Sequence, residues 1–116
     1  MPEHSEVVPL GFSVADAEHP RFELAGQRLV LHFMDWRENP VTVVFADTIA
    51  VRWQEADRYI DGSDRFDSTV VVHDSEWLAE HERQNVTWDN SQHRHLKLNF
   101  NASGILEVLC TTVDLQ

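Results

Sequence analysis

Apolar and polar side chains alternate along much of this chain, and the alternation predicts its strands. Residues 28–36, RLVLHFMDW, place Leu29, Leu31 and Phe33 on one face and Val30, His32 and Met34 on the other. Their content of β-branched and aromatic side chains also favours a strand. Residues 41–53, VTVVFADTIAVRW, repeat the pattern after a turn at 38–40. Such close neighbours pair most simply as an antiparallel hairpin, with Asp47 as a bend or bulge in the second strand.

One short helix is predicted after a third strand, STVVVH. In the following segment, DSEWLAEHERQN, Asp74 or Ser75 can cap a helix that covers about residues 75–84. The helix then has an inner face with Trp77, Leu78 and His81 and an outer face with Glu76, Glu80 and Arg83. We expect the outer face to lie towards water.

The C-terminal part has the clearest pattern. Residues 95–100, HLKLNF, alternate strictly, NASG supplies a turn, and residues 105–113, ILEVLCTTV, return in the opposite direction. This arrangement is typical of a β-hairpin. Because Ile105 and Leu109 add apolar side chains on the second face, we expect the last strand to be central or to be covered on both faces.

Together these elements predict an α+β protein, a mainly antiparallel sheet of five or six strands with one short helix and a C-terminal β-hairpin. Residues 1–20 contain three Pro, no Lys or Arg and no sustained period, so we expect an irregular N-terminal lead-in there. Residues 21–116 then form a single α+β domain, which suits the length of the chain.

The cysteine content and the N-terminal segment predict the cellular compartment of the protein. Cys110 is the only cysteine, so no internal disulfide can form, and its inward position on a strand indicates a core residue instead of a nucleophile. The N-terminal segment lacks the basic start and the apolar run of a signal peptide, so the cytoplasm is the expected compartment. No cofactor is predicted.

The net charge and its distribution predict the kind of partner. Twenty acidic and nine basic residues give a net charge of −11, which repels nucleic-acid phosphates and anionic membranes. The excess is concentrated in residues 55–82, where nine acidic side chains stand against Arg58 and Arg65. We therefore expect a basic protein partner and no direct contact with nucleic acid or membrane. The oligomeric state stays open.

The acidic loop EADRYIDGSDRFD, residues 55–67, allows several interpretations. Its aspartates do not follow the D-x-[DN]-x-[DN]-G spacing of a calcium loop. A catalytic carboxylate pair would need a cleft and shifted pKa values, and spacing alone supplies neither. The loop can equally be a solvated connection that keeps the protein soluble.

The seven histidines raise the question of a metal site. Zinc needs three or four converging ligands, and the chain has neither a Cys pair nor an HExxH motif. We therefore predict no metal site and place His93 and His95 on a polar sheet face with Lys97 and Asn99. Because no Ser stands in a G-x-S-x-G turn either, we expect a protein that is not an enzyme.

Aromatic side chains can supply affinity where charge supplies attraction. Trp88 stands between the helix and the next strand, and Tyr59 lies within the acidic loop, so each can anchor a partner or pack onto the body of the protein. The predicted partner-binding residues combine these two aromatics with neighbouring carboxylates: Glu55, Asp57, Tyr59, Asp61, Asp64, Asp67, Glu76, Glu80 and Trp88.

The size, the acidity and the mixed αβ layout of the whole chain resemble those of small acidic immunity proteins from bacterial polymorphic-toxin and contact-dependent inhibition systems. The segment HLKLNFNASGILEVL, from His95 to Leu109, also looks like a terminal hairpin of small bacterial proteins. The resemblance implies a protein that binds and neutralises a cognate, nuclease-like toxin domain. It transfers no functional residue onto this chain.

Two alternatives stay open. A DNA-mimicking inhibitor of restriction or CRISPR enzymes would also use spaced carboxylates, and it would compete with DNA for its target. A small sheet enzyme, or a ligand- or metal-binding protein, would instead use a pocket lined by His32, Trp53, His93 and His95.

Overall fold

The structure is a computed structural model that describes residues 3–14, 17–55, 69–84, 93–100 and 104–116. These residues form nine strands and one helix. In chain order the elements are β1 (His4–Val7), β2 (Glu18–Ala25), β3 (Arg28–Met34), β4 (Pro40–Ala46), β5 (Ala50–Glu55), β6 (Thr69–His73), α1 (Glu76–Arg83), β7 (Arg94–Phe100), β8 (Gly104–Cys110) and β9 (Thr112–Leu115).

The described strands divide into two antiparallel sheets. Sheet A has five strands in the order β1-β6-β7-β8-β5, and sheet B has four in the order β2-β3-β4-β9. The antiparallel α+β architecture, with one short helix and a C-terminal β7–β8 hairpin, confirms the predicted fold class. The number of strands exceeds the five or six expected, and they form two sheets.

Asp47 explains why one predicted strand is in fact two. Its backbone is left-handed, with a φ of 53°, and the Thr48 hydroxyl donates to the Phe45 carbonyl at 3.1 Å. This local structure ends β4 and lets the chain cross from sheet B to β5 of sheet A. The bend predicted at Asp47 is therefore the point where the chain changes sheets.

The predicted hairpin between β3 and β4 is present. The Asp35 carboxylate accepts the N–H groups of Arg37 and Asn39 at 2.9 and 2.8 Å, which folds the turn. Glu38 adopts a φ of 64° at the tip. Beyond this turn the two strands stay in register from Met34 opposite Pro40 onwards.

The two sheets pack their apolar faces against each other. Phe33 of β3 meets Phe100 of β7 edge to face, with ring centroids 5.4 Å apart. β8 lies between β7 and β5, and Leu109 on its outer side is also buried, so the expected central position is confirmed for this strand. The predicted strand 105–113 nevertheless ends at Cys110, and Thr112 and Val113 belong to β9 at the edge of sheet B. The buried core contains Val14, Ala17, Leu29, Leu31, Phe33, Val43, Phe45, Leu96, Leu98, Phe100, Leu106, Val108 and Cys110.

The N-terminal segment 1–20 is more regular than predicted. His4–Val7 form β1, which pairs with β6, and β2 begins at Glu18, so the boundary expected between residues 20 and 21 falls inside a strand. The hydrophobic pattern did not reveal β1 because all four of its side chains are exposed. Pairing with a neighbour, not burial of a face, holds this strand.

The helix α1 lies within the predicted range of about 75–84. Ser75, one of the two predicted caps, accepts the N–H of Leu78 on its side-chain oxygen at 3.0 Å. Glu76 in the first turn and Arg83 in the last complement the helix dipole. No side chain of α1 is fully buried, so the helix rests on the sheet instead of entering the core.

Candidate functional site

The face of sheet A that points away from the core carries buried polar side chains. Strand alternation puts His95 and Glu107 on this face, while Leu96 and Val108 point inward. His95 is only 2% exposed and Glu107 only 8%. Since buried charged groups need partners, the contacts of these two residues define a candidate site.

Arg52, His95 and Glu107 form one hydrogen-bonded group. The register of β5 and β8 sets Arg52 opposite Glu107, and the guanidinium binds the carboxylate twice, Nε to Oε2 at 2.8 Å and Nη2 to Oε1 at 3.1 Å. From β7, His95 Nε2 reaches Glu107 Oε1 at 2.8 Å. Three neighbouring strands are thereby joined through charged side chains.

These contacts keep Glu107 ionised. Burial disfavours the charged form of the carboxyl group, but the hydrogen bonds from His95 and Arg52 outweigh burial and lower the pKa of Glu107 to about 2. The hydrogen bond to Glu107 also raises the pKa of Arg52. At neutral pH the carboxylate can only accept hydrogen bonds, so His95 donates to it from Nε2.

Ser75 extends this group to the start of α1. His95 Nδ1 lies 2.7 Å from Ser75 Oγ, and in the neutral ring it accepts the hydroxyl proton. Ser75 Oγ in turn accepts the Leu78 N–H. We call Arg52, Ser75, His95 and Glu107 the anchor network, because they connect the N-terminus of the helix to β5, β7 and β8.

Trp77 covers the anchor network from the helix side. Its ring lies edge-on to His95, with centroids 5.1 Å apart, and the Arg52 guanidinium lies 4.1 Å from the indole centroid. The predicted inner position of Trp77 on α1 is therefore confirmed. Because these contacts hold one face of the helix, the opposite face is presented in a defined orientation.

Open grooves run along both sides of α1. A groove of about 590 Å³ lies towards β6 and β7, and one of about 540 Å³ lies towards β5. The first is lined by residues that include His73, Asp74, Ser75, Glu82, His93 and His95. The second is lined by Glu3, Arg52, Glu76, Trp77, Ala79, Glu80 and Arg83.

Exposed carboxylates border both grooves. Glu3 Oε2 accepts the N–H of Glu76 at 2.7 Å, a favourable place for a carboxylate because the helix N-terminus is positive. Glu6 of β1 lies 2.8 Å from His73 Nε2 but is opposite Val71, on the side of sheet A away from α1, so it does not border the grooves. We define the acidic face as the exposed carboxylates that line these two grooves: Glu3, Asp74, Glu76, Glu80 and Glu82.

Three of the predicted partner-binding residues belong to the described part of the chain. Glu76 and Glu80 are exposed on the acidic face, as the helix pattern predicted. Glu55 is exposed at the end of β5 but accepts from Trp53 Nε1, on the opposite side of the strand from Arg52, so it does not belong to the acidic face. Asp57, Tyr59, Asp61, Asp64, Asp67 and Trp88 lie outside the described residues.

The four residues of the suggested histidine pocket do not converge: His93 and His95 line the first groove, but His32 and Trp53 do not. His32 projects from the outer side of sheet B, where its Nδ1 lies 3.0 Å from Thr42 Oγ1. Trp53 packs inside against Phe100, and His95 lies on the outer side of sheet A. These three side chains therefore lie in three separate places: outside sheet B, between the sheets, and outside sheet A. In the described ranges, no three His, Cys, Asp or Glu side chains converge to hold a metal ion.

Sequence patterns missed the anchor network because its members come from four separate elements. Glu107 is the one charged residue of β8, and Arg52 stands between Val51 and Trp53 in β5, but they signal a buried pair only once β5 and β8 are known to be neighbours. Glu3 was missed because the N-terminal segment was predicted to be irregular. Its contact with Glu76 spans 73 positions of the chain.

Cys110 takes no part in the site. It is buried in the core, as predicted from its position on the strand. Burial raises the pKa of its thiol to about 12, so the reactive thiolate is disfavoured at neutral pH.

Comparisons with known proteins supply no relative. No protein-family model matches the chain, and no curated protein or solved structure does so. Among the residues that the structure describes, no helix has the length and apolarity that crossing a bilayer requires. The acidic face and the anchor network are therefore the features from which a function can be inferred.

Proposed function

We propose that the protein is not an enzyme and that it binds and neutralises a basic partner protein through the acidic face, with a nuclease-like toxin domain as that partner. The observation that carries the proposal is the anchoring of α1. Trp77 and the anchor network hold the helix on sheet A, so Glu76 and Glu80 are already in place when a cationic surface docks. Preorganised groups lose little freedom on binding, which favours affinity.

Charge supports the same class of partner. A domain that cleaves nucleic acid needs a cationic surface for the phosphates, and a chain with a net charge of −11 is attracted to that surface. Such complementarity mainly speeds encounter and selects against wrong partners. The resemblance to small acidic immunity proteins supports the assignment to a toxin domain.

The proposal is tested by removing two anchored charges. The Glu76→Gln, Glu80→Gln double variant should associate more slowly with the basic nuclease domain encoded next to the gene, by roughly three- to tenfold at low salt, because the helix face loses two negative charges. Stopped-flow or surface-plasmon measurements at several salt concentrations give the association rate constant. The difference from wild type should shrink as salt screens the charges.

A matched control separates local from global charge. Glu38→Gln with Asp114→Asn changes the net charge equally, but these exposed residues lie in the β3–β4 turn and in β9, away from the acidic face. This variant should bind like wild type. Equal slowing by both pairs, or no complex with the nuclease domain, would contradict the proposed surface. A complex in which DNA competes with the protein for an intact restriction or CRISPR enzyme would instead support the DNA-mimic alternative.

A second candidate function is ester hydrolysis, because a serine, a histidine and a carboxylate are hydrogen-bonded in that order, as in a catalytic triad. Ser75, His95 and Glu107 follow that order, and the first two line the 590 Å³ groove. This candidate ranks second for two reasons. Arg52 already neutralises Glu107, and Ser75 Oγ is engaged by the Leu78 N–H.

Ester hydrolysis is tested with Ser75→Asn, because Asn keeps the helix cap and removes the nucleophilic hydroxyl. If the candidate is right, wild type cleaves p-nitrophenyl acetate faster than buffer does, and Ser75→Asn returns the rate to background. Equal rates for both proteins, with circular dichroism showing that both are folded, would exclude this use of Ser75.

A further inference from the structure

The strand β2 is the longest edge strand among the described residues. Its eight residues pair with β3 on one side only, whereas the other edge strands, β1, β9 and β5, have four, four and six residues. Every side chain from Arg21 to Ala25 is exposed. A long edge strand presents N–H and C=O groups that can pair with another strand.

Two apolar side chains lie exposed on the same face of β2. Phe22 is 37% exposed and Leu24 57%. The Phe22 ring contacts Trp53 of β5 at a centroid distance of 5.9 Å, so this face turns towards the space between the two sheets. Single exposed apolar residues are common, but two on one face of an open edge form a continuous strip that association would bury.

The turn between β2 and β3 shows which backbone N–H and C=O groups of β2 point away from β3. Ala25 and Arg28 are partners across the two-residue turn at Gly26, so they form the closing hydrogen-bonded pair with β3. Since hydrogen bonds alternate in direction along a strand, Phe22 and Leu24 direct their backbone groups away from β3.

The charges of β2 select one way of pairing it with a copy of itself. In an antiparallel pair, two directly opposite residues lie on the same face of the sheet. A two-fold axis relating two copies of β2 must therefore pass between the two copies of one residue, which we call the residue at the axis. An axis at Arg21 or at Glu23 sets like charges opposite each other, and an axis at Leu24 sets Glu23 opposite Ala25, which gives no pair of opposite charges. An axis at Phe22 sets Arg21 of each strand opposite Glu23 of the other, and Leu24 opposite Pro20.

We propose that two copies of this chain associate through β2 about a two-fold axis at Phe22, joining their four-stranded sheets into one continuous eight-stranded sheet. The two Phe22 residues exchange backbone hydrogen bonds, and each Leu24 N–H donates to the opposite Pro20 carbonyl. Glu23 is available for the cross-strand pair, because its side chain is 78% exposed and its one ion-pair contact within the described part of the chain is a long one, 4.0 Å to His32 Nε2.

Features at the N-terminal end of β2 limit the association to two copies. Pro20 has no N–H to donate, and the register with β3 shifts between Glu18 and Arg21. Further pairing along this edge is therefore blocked. Because the two-fold contact uses the β2 edge of both copies, it closes on itself and leaves no free β2 edge for a fibre.

Reciprocal charge exchange tests the dimer in the full chain without any partner. Arg21→Glu and Glu23→Arg should each weaken dimerisation by at least about tenfold, because each sets like charges opposite each other twice. The Arg21→Glu, Glu23→Arg double variant restores opposite pairs and should dimerise like wild type. Sedimentation velocity across a concentration series at moderate salt measures the dissociation constant.

Arg37→Glu and Glu38→Arg are the matched controls. Both residues are exposed in the β3–β4 turn, and the variants change the net charge by the same amounts as the β2 variants. They should leave the dissociation constant unchanged. A wild-type protein that stays monomeric at every concentration would overturn the proposal, and so would a double variant that fails to recover dimerisation while remaining folded.

Oxidative cross-linking tests the register. The two Phe22 Cα atoms would lie about 5.5 Å apart, within disulfide range, so Phe22→Cys should form a covalent dimer on mild oxidation. Leu24→Cys should not, because Leu24 faces Pro20. The natural Cys110 is buried and gives a low background. Cross-linking through Leu24→Cys and not through Phe22→Cys would overturn the proposed axis.

Discussion

Glu107 shows how neighbours decide the state of a single carboxyl group. Most carboxylates in the described part of the chain are exposed, whereas Glu107 is buried and receives hydrogen bonds from His95 and Arg52. Its ordinary pKa of 4.5 falls to about 2 in the folded protein. Folding and ionisation of this one group are therefore linked.

The linkage predicts a specific acid sensitivity. Because the pKa of Glu107 is lower in the folded state, its stabilisation is complete above about pH 4.5 and is lost as the pH falls towards 2, with an upper size of roughly 3 kcal/mol. Glu107→Gln should lower the free energy of unfolding at pH 7 and flatten its decline in this window. Urea unfolding at several pH values measures both effects.

The control for this prediction is Asp114→Asn, which removes an exposed carboxylate of β9. Its free energy of unfolding should follow the wild-type pH curve. If Glu107→Gln also follows that curve, Glu107 does not carry the proposed share of stability.

At the scale of elements, β5 and β8 approach so closely that one position accepts no side chain. A Cβ atom on Gly104 would lie 2.4 Å from the Gln54 carbonyl oxygen and 2.6 Å from the Trp53 ring. The same approach brings Arg52 of β5 against Glu107 of β8. The small residue at the start of β8 thus helps to set the spacing on which the anchor network depends.

Gly104→Ala should therefore lower the free energy of unfolding by about 1–3 kcal/mol, because the carbonyl and the indole ring must shift. Thermal and urea unfolding measure the change. Gly26→Ala is the comparison, since its added Cβ meets nothing within 4 Å and its φ of 63° carries only a backbone cost of roughly 1 kcal/mol. A Gly104→Ala protein that is as stable as Gly26→Ala would contradict the tight approach.

At the scale of the whole molecule, the two proposed contact surfaces use different parts of the sandwich. The acidic face belongs to the edge and outer side of sheet A, whereas the β2 strip belongs to the edge of sheet B. A dimer joined through β2 would leave both acidic faces accessible. Arg21→Glu should accordingly keep the association rate with the basic partner, and Glu76→Gln with Glu80→Gln should keep the dimer. Each proposal can thus fail without the other.

Local sequence patterns predicted most of the secondary-structure elements. Alternation marked β3, β4, β7 and β8, the β-branched run STVVVH marked β6, and the cap at Ser75 marked α1, because each signal needs only residues that are close in the chain. The exposed strand β1 gave no such signal. The division of residues 41–53 at Asp47 was visible only as a bend, since nothing local says to which sheet the next strand belongs.

The sequence by itself determined the fold class, the core positions and the net negative charge, because periodicity and composition act locally and additively. The tertiary structure alone decided which charges meet. Arg52 and Glu107 are 55 positions apart, and Glu3 and Glu76 are 73 apart. Only strand order and register bring such residues within hydrogen-bonding distance. The same strand order decides that β2 is an edge, and so which apolar side chains remain open to a second copy.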